Sequence, residues 1–197
     1  MIRAVAFDVM DTLLADPFRE ALWAATGLTL DQLAARRPPH VHPAFERGEL
    51  TEPEYWAAFA HAGIEVDPAA FHRERRARTT WLDGMADLLD DLAGRVVRVA
   101  ATNYPVWVEE LVEHHLDGRV EQVVSSHQLG VRKPDAGFYA GLLDAVELPA
   151  SQVLFVDDRR ANVAGARAVG LGSHRFTDVR SVRAWLAGHG VLDRATA

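Results

Sequence analysis

The sequence predicts an α/β fold, in which a parallel sheet carries a helical insertion after its first strand. Five short runs typical of buried strands recur along the chain, at residues 2–7, 95–102, 119–126, 152–158 and 170–177. Helical patterns of the length that a parallel crossover connection needs lie between most of them. One long span, residues 15–82, contains no convincing strand.

The predicted helices of the sheet-forming part follow the strands in order. One helix precedes the second strand, and one follows each strand from the second to the fifth. They span residues 84–93, 105–116, 136–145, 159–169 and 179–187. Asp135 stands directly before the third of these helices, and we expect its side chain to cap it. The alternation of strands and helices is typical of a sheet built from β-α units.

The span from residue 15 to residue 82 shows helix-start signals. Thr51 and Glu54 form a capping-box pattern, and Asp67 followed by Pro68 is typical of an N-cap and the first helical position. We therefore predict a small helical unit inserted into a sheet-forming core. The predicted core is residues 1–14 and 83–197, and the predicted insertion is residues 15–82.

Composition restricts the class of protein. A chain of 197 residues with 49% hydrophobic and 25% charged residues is typical of an ordinary globular domain. The net charge is −7 and the one basic cluster, RERRAR at 73–78, fits a solvated helix face, so we expect neither nucleic acid nor a membrane as partner. The absence of cysteine excludes disulfides, thiolate nucleophiles and cysteine metal sites.

The N-terminal sequence MIRAVAFDVM lacks the long apolar core and small-residue cleavage site of a signal peptide. No window approaches the roughly 18 consecutive apolar residues that a membrane span needs. We therefore predict a cytoplasmic protein, a monomer or a homodimer, whose partner is a small-molecule substrate.

Polar residues follow the predicted strands, and in a parallel sheet the carboxyl ends of the strands meet at one edge, where ligands bind. These residues are Asp8, Thr102, Asn103, Ser125, Ser126, Asp157 and Asp158. Carboxylates of Asp8, Asp157 and Asp158 crowded at this edge would repel one another unless a cation neutralised them, and Mg²⁺ prefers such oxygen ligands. Taken alone, Asp157 and Asp158 fit strand-end or N-cap roles equally well.

Lys133 lies in the loop GVRKPDAGFY, where Pro134 stiffens the turn. A lone loop lysine is usually solvated, but at this edge its ammonium could pair with the acidic cluster and hold an anionic group. Thr102 and Asn103 offer a hydroxyl and an amide suited to orienting phosphate oxygens, although each is also an ordinary loop residue.

Four segments in this order resemble the motifs of the haloacid dehalogenase-like (HAD) hydrolase superfamily, over nearly the whole chain. They are FDVMDTLL (7–14), AATNYP (100–105), VRKPDAGFY (131–139) and FVDDRRANVAGARAVG (155–170). The last is the most specific, because its acidic pair, Asn162, Gly165, Ala166 and Gly170 all match. The resemblance implies a Rossmann-like core and a C1-type cap in the insertion.

The resemblance also implies a mechanism. Asp8 would be the nucleophile and would form an aspartyl-phosphate that water later hydrolyses. The implied Mg²⁺ ligands are Asp8, the backbone carbonyl of Met10, and Asp158 with Asp157 in support.

The resemblance places the transferring phosphoryl group beside Thr102 and Lys133, and Lys133 would also orient Asp8. Asn103 joins these two as an expected substrate-binding residue. The insertion, as a cap, would close over the site and govern which substrate is accepted.

One position departs from the family pattern. Phosphatases of this family carry a second aspartate two residues after the nucleophile, where it protonates the leaving oxygen and then activates water. Met10 occupies that position here and cannot transfer a proton. Asp11 comes one residue later, so we expect its side chain to point elsewhere and to cap a loop amide near Thr12.

Three hypotheses follow. The leading one is a Mg²⁺-dependent phosphohydrolase of a small phosphorylated metabolite that draws its proton from a cap residue, a water or the substrate. The second is a metal-independent hydrolase of the 2-haloacid dehalogenase type, whose halide leaving group needs no proton. The third is a catalytically weak binding or regulatory member. Five residues of the insertion could face the site, although each also fits an ordinary surface or core role: Asp16, Arg19, Trp23, His40 and His42.

Overall fold

A computed structural model describes residues 1–193 as a five-stranded parallel sheet with helices on both faces. The strands are β1 (Ala4–Phe7), β2 (Val97–Thr102), β3 (Gln122–Ser125), β4 (Val153–Asp157) and β5 (Gly172–Arg175). Their spatial order is β3-β2-β1-β4-β5, and every neighbouring pair is parallel. The predicted Rossmann-like sheet is confirmed. Residues 194–197 of the predicted core lie outside the described residues.

Five helices fill the predicted insertion, and six belong to the sheet-forming part of residues 1–193. Those of the insertion are α1 (Phe18–Thr26), α2 (Leu30–Ala34), α3 (Val41–Glu46), α4 (Glu52–His61) and α5 (Pro68–Arg78). The others are α6 (Met85–Leu92), α7 (Val108–Leu111, continued by a π-helical turn Val112–Leu116), α8 (Ser126–Leu129), α9 (Ala136–Val146), α10 (Arg160–Ala168) and α11 (Val179–Gly188). Within the described part of the chain, every helix is too short to cross a membrane.

The helix starts agree with the sequence in two cases out of three. The Thr51–Glu54 capping box forms at α4, and the Asp67 side chain accepts a hydrogen bond from the Ala70 amide at α5. The prediction that Asp135 caps α9 with its side chain is wrong. The amide of Phe138 donates instead to the backbone carbonyl of Asp135 (3.0 Å). This bond occupies the amide hydrogen that a capping carboxylate would need.

The sheet separates two layers of buried apolar side chains. Along β1, Ala4 and Ala6 face one layer while Val5 and Phe7 face the other, as the twofold alternation of a strand requires. The Ala4 layer is closed by α9 and α10, and the Phe7 layer continues into the helical insertion. Both faces of the central strand are therefore dry.

The insertion leaves and re-enters the core at neighbouring positions. The amide of Ala15 donates to the carbonyl of Thr80 (2.9 Å), and the amide of Leu82 donates to the carbonyl of Leu13 (2.9 Å). The outgoing and returning chains are thus paired with each other.

Charged side chains attach the far end of α5 to the core. The prediction that RERRAR forms a solvated helix face is wrong at Arg75, which is only 2% exposed. Its guanidinium pairs with Glu110 of α7 and lies 5.4 Å from the ring centroid of Trp107. Arg76 pairs with the same Glu110 carboxylate.

Glu52 makes a second attachment between the insertion and the core. One of its oxygens accepts a hydrogen bond from Trp56 Nε1 (2.9 Å) and lies 2.6 Å from Nε2 of His72. The other accepts from Trp107 Nε1 (2.9 Å), in the segment that follows β2. One carboxylate thereby joins α4 and α5 to the core.

Candidate active site

The ammonium of Lys133 lies at the centre of the carboxyl edge of the sheet. It donates to Asp8 Oδ1 (2.6 Å), to Asp157 Oδ2 (2.8 Å) and to the carbonyl of Ala101 (2.6 Å). Burial by itself would lower the pKa of Lys133, but the carboxylates of Asp8 and Asp157 outweigh it and raise the pKa. All three donors of the ammonium are therefore engaged, and the cation is fixed in place.

The register of the sheet explains why these groups meet. Phe7 of β1 pairs with Val156 of β4, so the next residue of each strand, Asp8 and Asp157, emerges at the same level. The amide of Asp8 donates to the carbonyl of Val156 (2.8 Å), which continues the ladder by one step. The convergence predicted for the strand ends is the direct result of this parallel pairing.

Asp157 is a buried carboxylate with all of its oxygens engaged. Oδ1 accepts from the amide of Arg159 (2.9 Å), and both oxygens lie 3.0 Å from Nδ2 of Asn162 on α10. With Lys133 on Oδ2, this carboxylate anchors the lysine and the start of α10.

Asp158 differs from Asp157 in having a buried oxygen, Oδ1, without a hydrogen-bond partner in the described chain. One oxygen from each of Asp8, Asp157 and Asp158 lies within 4.8 Å of the others. Burial and the neighbouring Asp157 raise the pKa of Asp158, and burial raises the pKa of Asp8 against the opposing effect of Lys133. An unsatisfied buried oxygen in a cluster of carboxylates fits a hard divalent cation.

Thr102 and Asn103 follow β2 as expected, but they are held differently. Thr102 is buried and lines the cavity above Asp8. The Asn103 amide bonds the backbone of Lys133 twice, donating to its carbonyl (2.9 Å) and accepting from its amide (2.8 Å). Asn103 therefore holds the lysine loop against the end of β2. Ser125 and Ser126 bond within the protein, to the amide of Gln128 and to the carbonyl of Glu46.

A cavity of about 430 Å³ lies between the sheet edge and the insertion. Its floor includes Asp8, Thr102 and Lys133, and the half-buried Met10 lies beside them. Of the insertion residues considered from sequence, Asp16, Arg19 and His42 line the cavity. Trp23, which is 62% exposed, and His40 lie elsewhere on the surface.

Asp11 also lines the cavity, with its backbone in the left-handed region (φ 57°) that favours glycine. Its Oδ1 accepts a hydrogen bond from the amide of Asp16 (3.1 Å). The expected capping of a loop amide thus occurs, but the amide is that of Asp16 and not one next to Thr12.

Sequence reasoning missed an ion pair across the cavity. Nε of Arg132 lies 2.7 Å from Oε2 of Glu46 on α3, at an angle unsuited to a hydrogen bond, and Oε1 of the same glutamate lies 3.5 Å from Nε2 of His42. Burial raises the pKa of Glu46, while burial and nearby arginines lower the pKa of His42 to about 3. The only sequence signal was that Arg132 directly precedes Lys133.

The strand order and the aspartate that follows β1 fit an α/β enzyme with an aspartate-centred site at the carboxyl edge of its sheet. The family model of the haloacid dehalogenase-like hydrolases matches residues 2–170. The chain belongs to this family, which confirms the resemblance drawn from its four motifs.

Two curated relatives are, by name, a hydrolase and a phosphatase. Flavin mononucleotide hydrolase 1 of Arabidopsis thaliana is 32% identical over 187 residues, which cover 94% of this chain and 76% of the relative. A sesquiterpene phosphatase of Aspergillus oryzae is 36% identical over 140 residues, covering 68% of this chain and 71% of the relative.

A HAD family enzyme from Bacteroides thetaiotaomicron, solved with magnesium and inorganic phosphate, has a similar fold. The TM-score is 0.76 at 14% identity, over 92% of this chain and 99% of that one. At this identity the likeness concerns the fold alone.

Proposed function

We propose that the protein is a Mg²⁺-dependent phosphohydrolase that acts on a small phosphorylated metabolite through an aspartyl-phosphate on Asp8. The observation that carries the proposal is the arrangement around Lys133, which holds Oδ1 of Asp8 in a cluster with Asp158, a residue with an unpartnered buried oxygen. The names of the two curated relatives support phosphate ester hydrolysis.

The proposed Mg²⁺ ligands are Asp8, the backbone carbonyl of Met10 and Asp158, with Asp157 holding the cluster together. The ion would neutralise charge on the phosphoryl oxygens. Lys133 holds Asp8 in place and opposes the rise in its pKa that burial causes, since an adjacent cation favours the charged form of a carboxylate.

In the proposed reaction an oxygen of Asp8 attacks phosphorus and the bond from phosphorus to the leaving oxygen breaks. Water then attacks the aspartyl-phosphate, which releases inorganic phosphate and restores Asp8. Thr102, buried at the cavity floor, would donate its hydroxyl hydrogen to a phosphoryl oxygen. Lys133 can reach such an oxygen only by exchanging one of its three present acceptors.

We also propose that residues 15–82 are the cap of this site and residues 1–14 and 83–197 its catalytic core. The cavity is walled on the insertion side by Phe18 and His42, whose ring centroids lie 4.7 Å apart, and on the core side by Tyr104 and Trp107. Such a wall suits an ester with a planar or apolar organic part. The cytoplasmic location and the monomer or homodimer state stay predictions.

The metal-independent dehalogenase is the second candidate, and Met10 is the observation that favours it. Three assays separate the candidates. The proposal expects Mg²⁺-dependent phosphate release from p-nitrophenyl phosphate and from flavin mononucleotide, lost in Asp8→Asn and retained in the exposed control Asp144→Asn. Metal-independent halide release from 2-chloropropionate would favour the dehalogenase over the phosphohydrolase. The absence of activity in all three assays would favour a binding member of the family.

A further inference from the structure

The cavity contains several acids besides Asp8, although the expected proton-transfer position is occupied by Met10. The lining carboxylates are Asp11, Asp16, Glu20 and Glu46. A group that protonates a leaving oxygen needs a fixed orientation, a carboxyl oxygen free to reach the substrate and a pKa that lets it carry a proton. These requirements distinguish the four residues.

Three of the four fail at least one requirement. Both oxygens of Glu46 face cationic or imidazole nitrogens, those of Arg132 and His42. Asp11 is exposed, and it therefore lacks the burial that favours a protonated carboxyl group. Glu20 is exposed, and among residues 1–193 no hydrogen bond or ion pair orients its carboxylate.

Asp16 meets all of them. It is partly buried, and its Oδ1 accepts a hydrogen bond from the amide of Phe18 (2.9 Å), while its own amide donates to Asp11 (3.1 Å). Its carboxyl group is therefore oriented, and its Oδ2 has no hydrogen-bond partner within the described residues. Burial raises the pKa of Asp16, and the charges of Asp11 and Glu20 add to that rise while Arg159 opposes it.

We propose that Asp16, at the start of the insertion, is the general acid and base of the reaction in place of Met10; this rests on the proposed phosphohydrolase function. As Asp8 bonds to phosphorus and the ester bond breaks, the Asp16 carboxyl group gives its proton to the leaving oxygen, which departs as an alcohol. The Asp16 carboxylate then takes a proton from the water that attacks the aspartyl-phosphate. Inorganic phosphate leaves, and both side chains return to their starting states.

The test measures kcat/KM for phosphate monoesters whose leaving groups range from p-nitrophenol to simple alkyl alcohols. A general acid contributes about 10²- to 10⁴-fold where the leaving group needs a proton. We expect Asp16→Asn to lose roughly 10²-fold or more on alkyl phosphates and far less on p-nitrophenyl phosphate. Asparagine keeps an acceptor for the amide of Phe18, and Asp16→Ser, which also keeps one, gives a second variant if the first does not fold.

The control is Asp144→Asn, which neutralises an exposed acid outside the cavity and should leave the dependence on leaving group unchanged. A second readout is rescue, because Met10→Asp should restore alkyl phosphate turnover in the Asp16→Asn background. If the wild-type protein releases phosphate while the folded Asp16 variants lose equal factors on both ester classes, or none, Asp16 is not the acid and the proposed function stands. If the wild-type protein hydrolyses no phosphate ester, both proposals are overturned.

Discussion

Lys133 is a buried cation that has three acceptors and no contact with bulk water, since it is 1% exposed. A buried charge costs several kcal/mol unless it is paired and hydrogen bonded. The same contacts fix one oxygen of Asp8, which lines the cavity. We therefore expect the lysine to set the position of the proposed nucleophile, Asp8.

Met10→Asp tests the account of the missing acid at the level of one residue. We expect the variant to gain turnover on alkyl phosphates, by about 10-fold or more, because a carboxyl group at the family's usual position would protonate these leaving groups in addition to the proposed acid Asp16. The gain on aryl phosphates should be much smaller, since a nitrophenolate leaves without one. Steady-state kinetics on matched alkyl and aryl esters make the comparison, and an equal gain on both would contradict the account.

At the residue scale, the sequence identified the side chains that meet because the carboxyl ends of parallel strands lie at one edge of the sheet. Asp8, Asp157 and Lys133 follow from motifs at strand ends, and the structure places them in contact. The sequence did not predict that Asn103 would use its whole amide on the backbone of Lys133, or that Glu46 would pair with Arg132. Such partners depend on loop geometry between segments far apart in the chain, which local patterns do not encode.

Helix α10 shows how close packing between elements supports the site. A Cβ added at Gly165 would lie 2.6 Å from the carbonyl oxygen of Pro134 and 3.0 Å from the ring of Tyr139. The glycine thus lets α10 approach the loop that carries Lys133. The Tyr139 hydroxyl bonds the carbonyl of Asn162 (2.6 Å) and holds α9 against α10 at the same place.

Gly165→Ala should therefore destabilise the protein although alanine is the better helix former. Overpacking costs about 1–3 kcal/mol, against a propensity gain of about 1 kcal/mol. We also expect slower turnover, because displacement of Pro134 moves Lys133. Urea denaturation measures the free energy of unfolding, with Gly188→Ala on α11 as control because no atom lies within 4 Å of its added Cβ. Equal effects of the two substitutions would refute the packing explanation.

At the element scale, the five strands and the long helices were predictable because their apolar periodicity is strong. Helix α8 was missed because it has only four residues and depends on the Ser125 capping box. The burial of Arg75 was missed for a different reason. Its partner Glu110 lies 35 positions away in the chain, so the basic cluster gave no sign that one of its charges would be enclosed.

At the scale of the whole molecule, we expect the acidic cluster to make stability depend on a cation. The carboxylates of Asp8, Asp157 and Asp158 are crowded, and Lys133 supplies a single positive charge between them. A ligand that binds only the folded state stabilises it by about 2.7 kcal/mol at 100 times its Kd. Mg²⁺ should therefore raise the free energy of unfolding of the chain.

We expect Mg²⁺ to raise the Tm of the wild-type protein and to leave that of Asp158→Asn unchanged. Without the ion, Asp158→Asn should be the more stable of the two, since it removes one half-buried charge from a repelling cluster. Differential scanning calorimetry with and without Mg²⁺ measures both effects, and Asp144→Asn should behave as wild type. A wild-type Tm that does not change when Mg²⁺ is added would remove the basis for the proposed metal site.

The overall architecture followed from the sequence because its order of strands, helices and inserted span allows few parallel topologies. The shape of the cavity did not follow. It depends on how the insertion sits on the sheet edge, and the side chains that decide this, such as Glu52 and Arg75, have no local pattern that distinguishes them from surface residues.

The pairing of Ala15 with Thr80, and of Leu82 with Leu13, has a consequence for how such enzymes can diversify. Because the two ends of the insertion are hydrogen bonded side by side, the insertion joins the core at one place, as a single closed loop does. The entropic cost of a longer or shorter loop grows only slowly with its length. An insertion of different length or sequence could therefore begin and end at the same two positions without a change in the sheet.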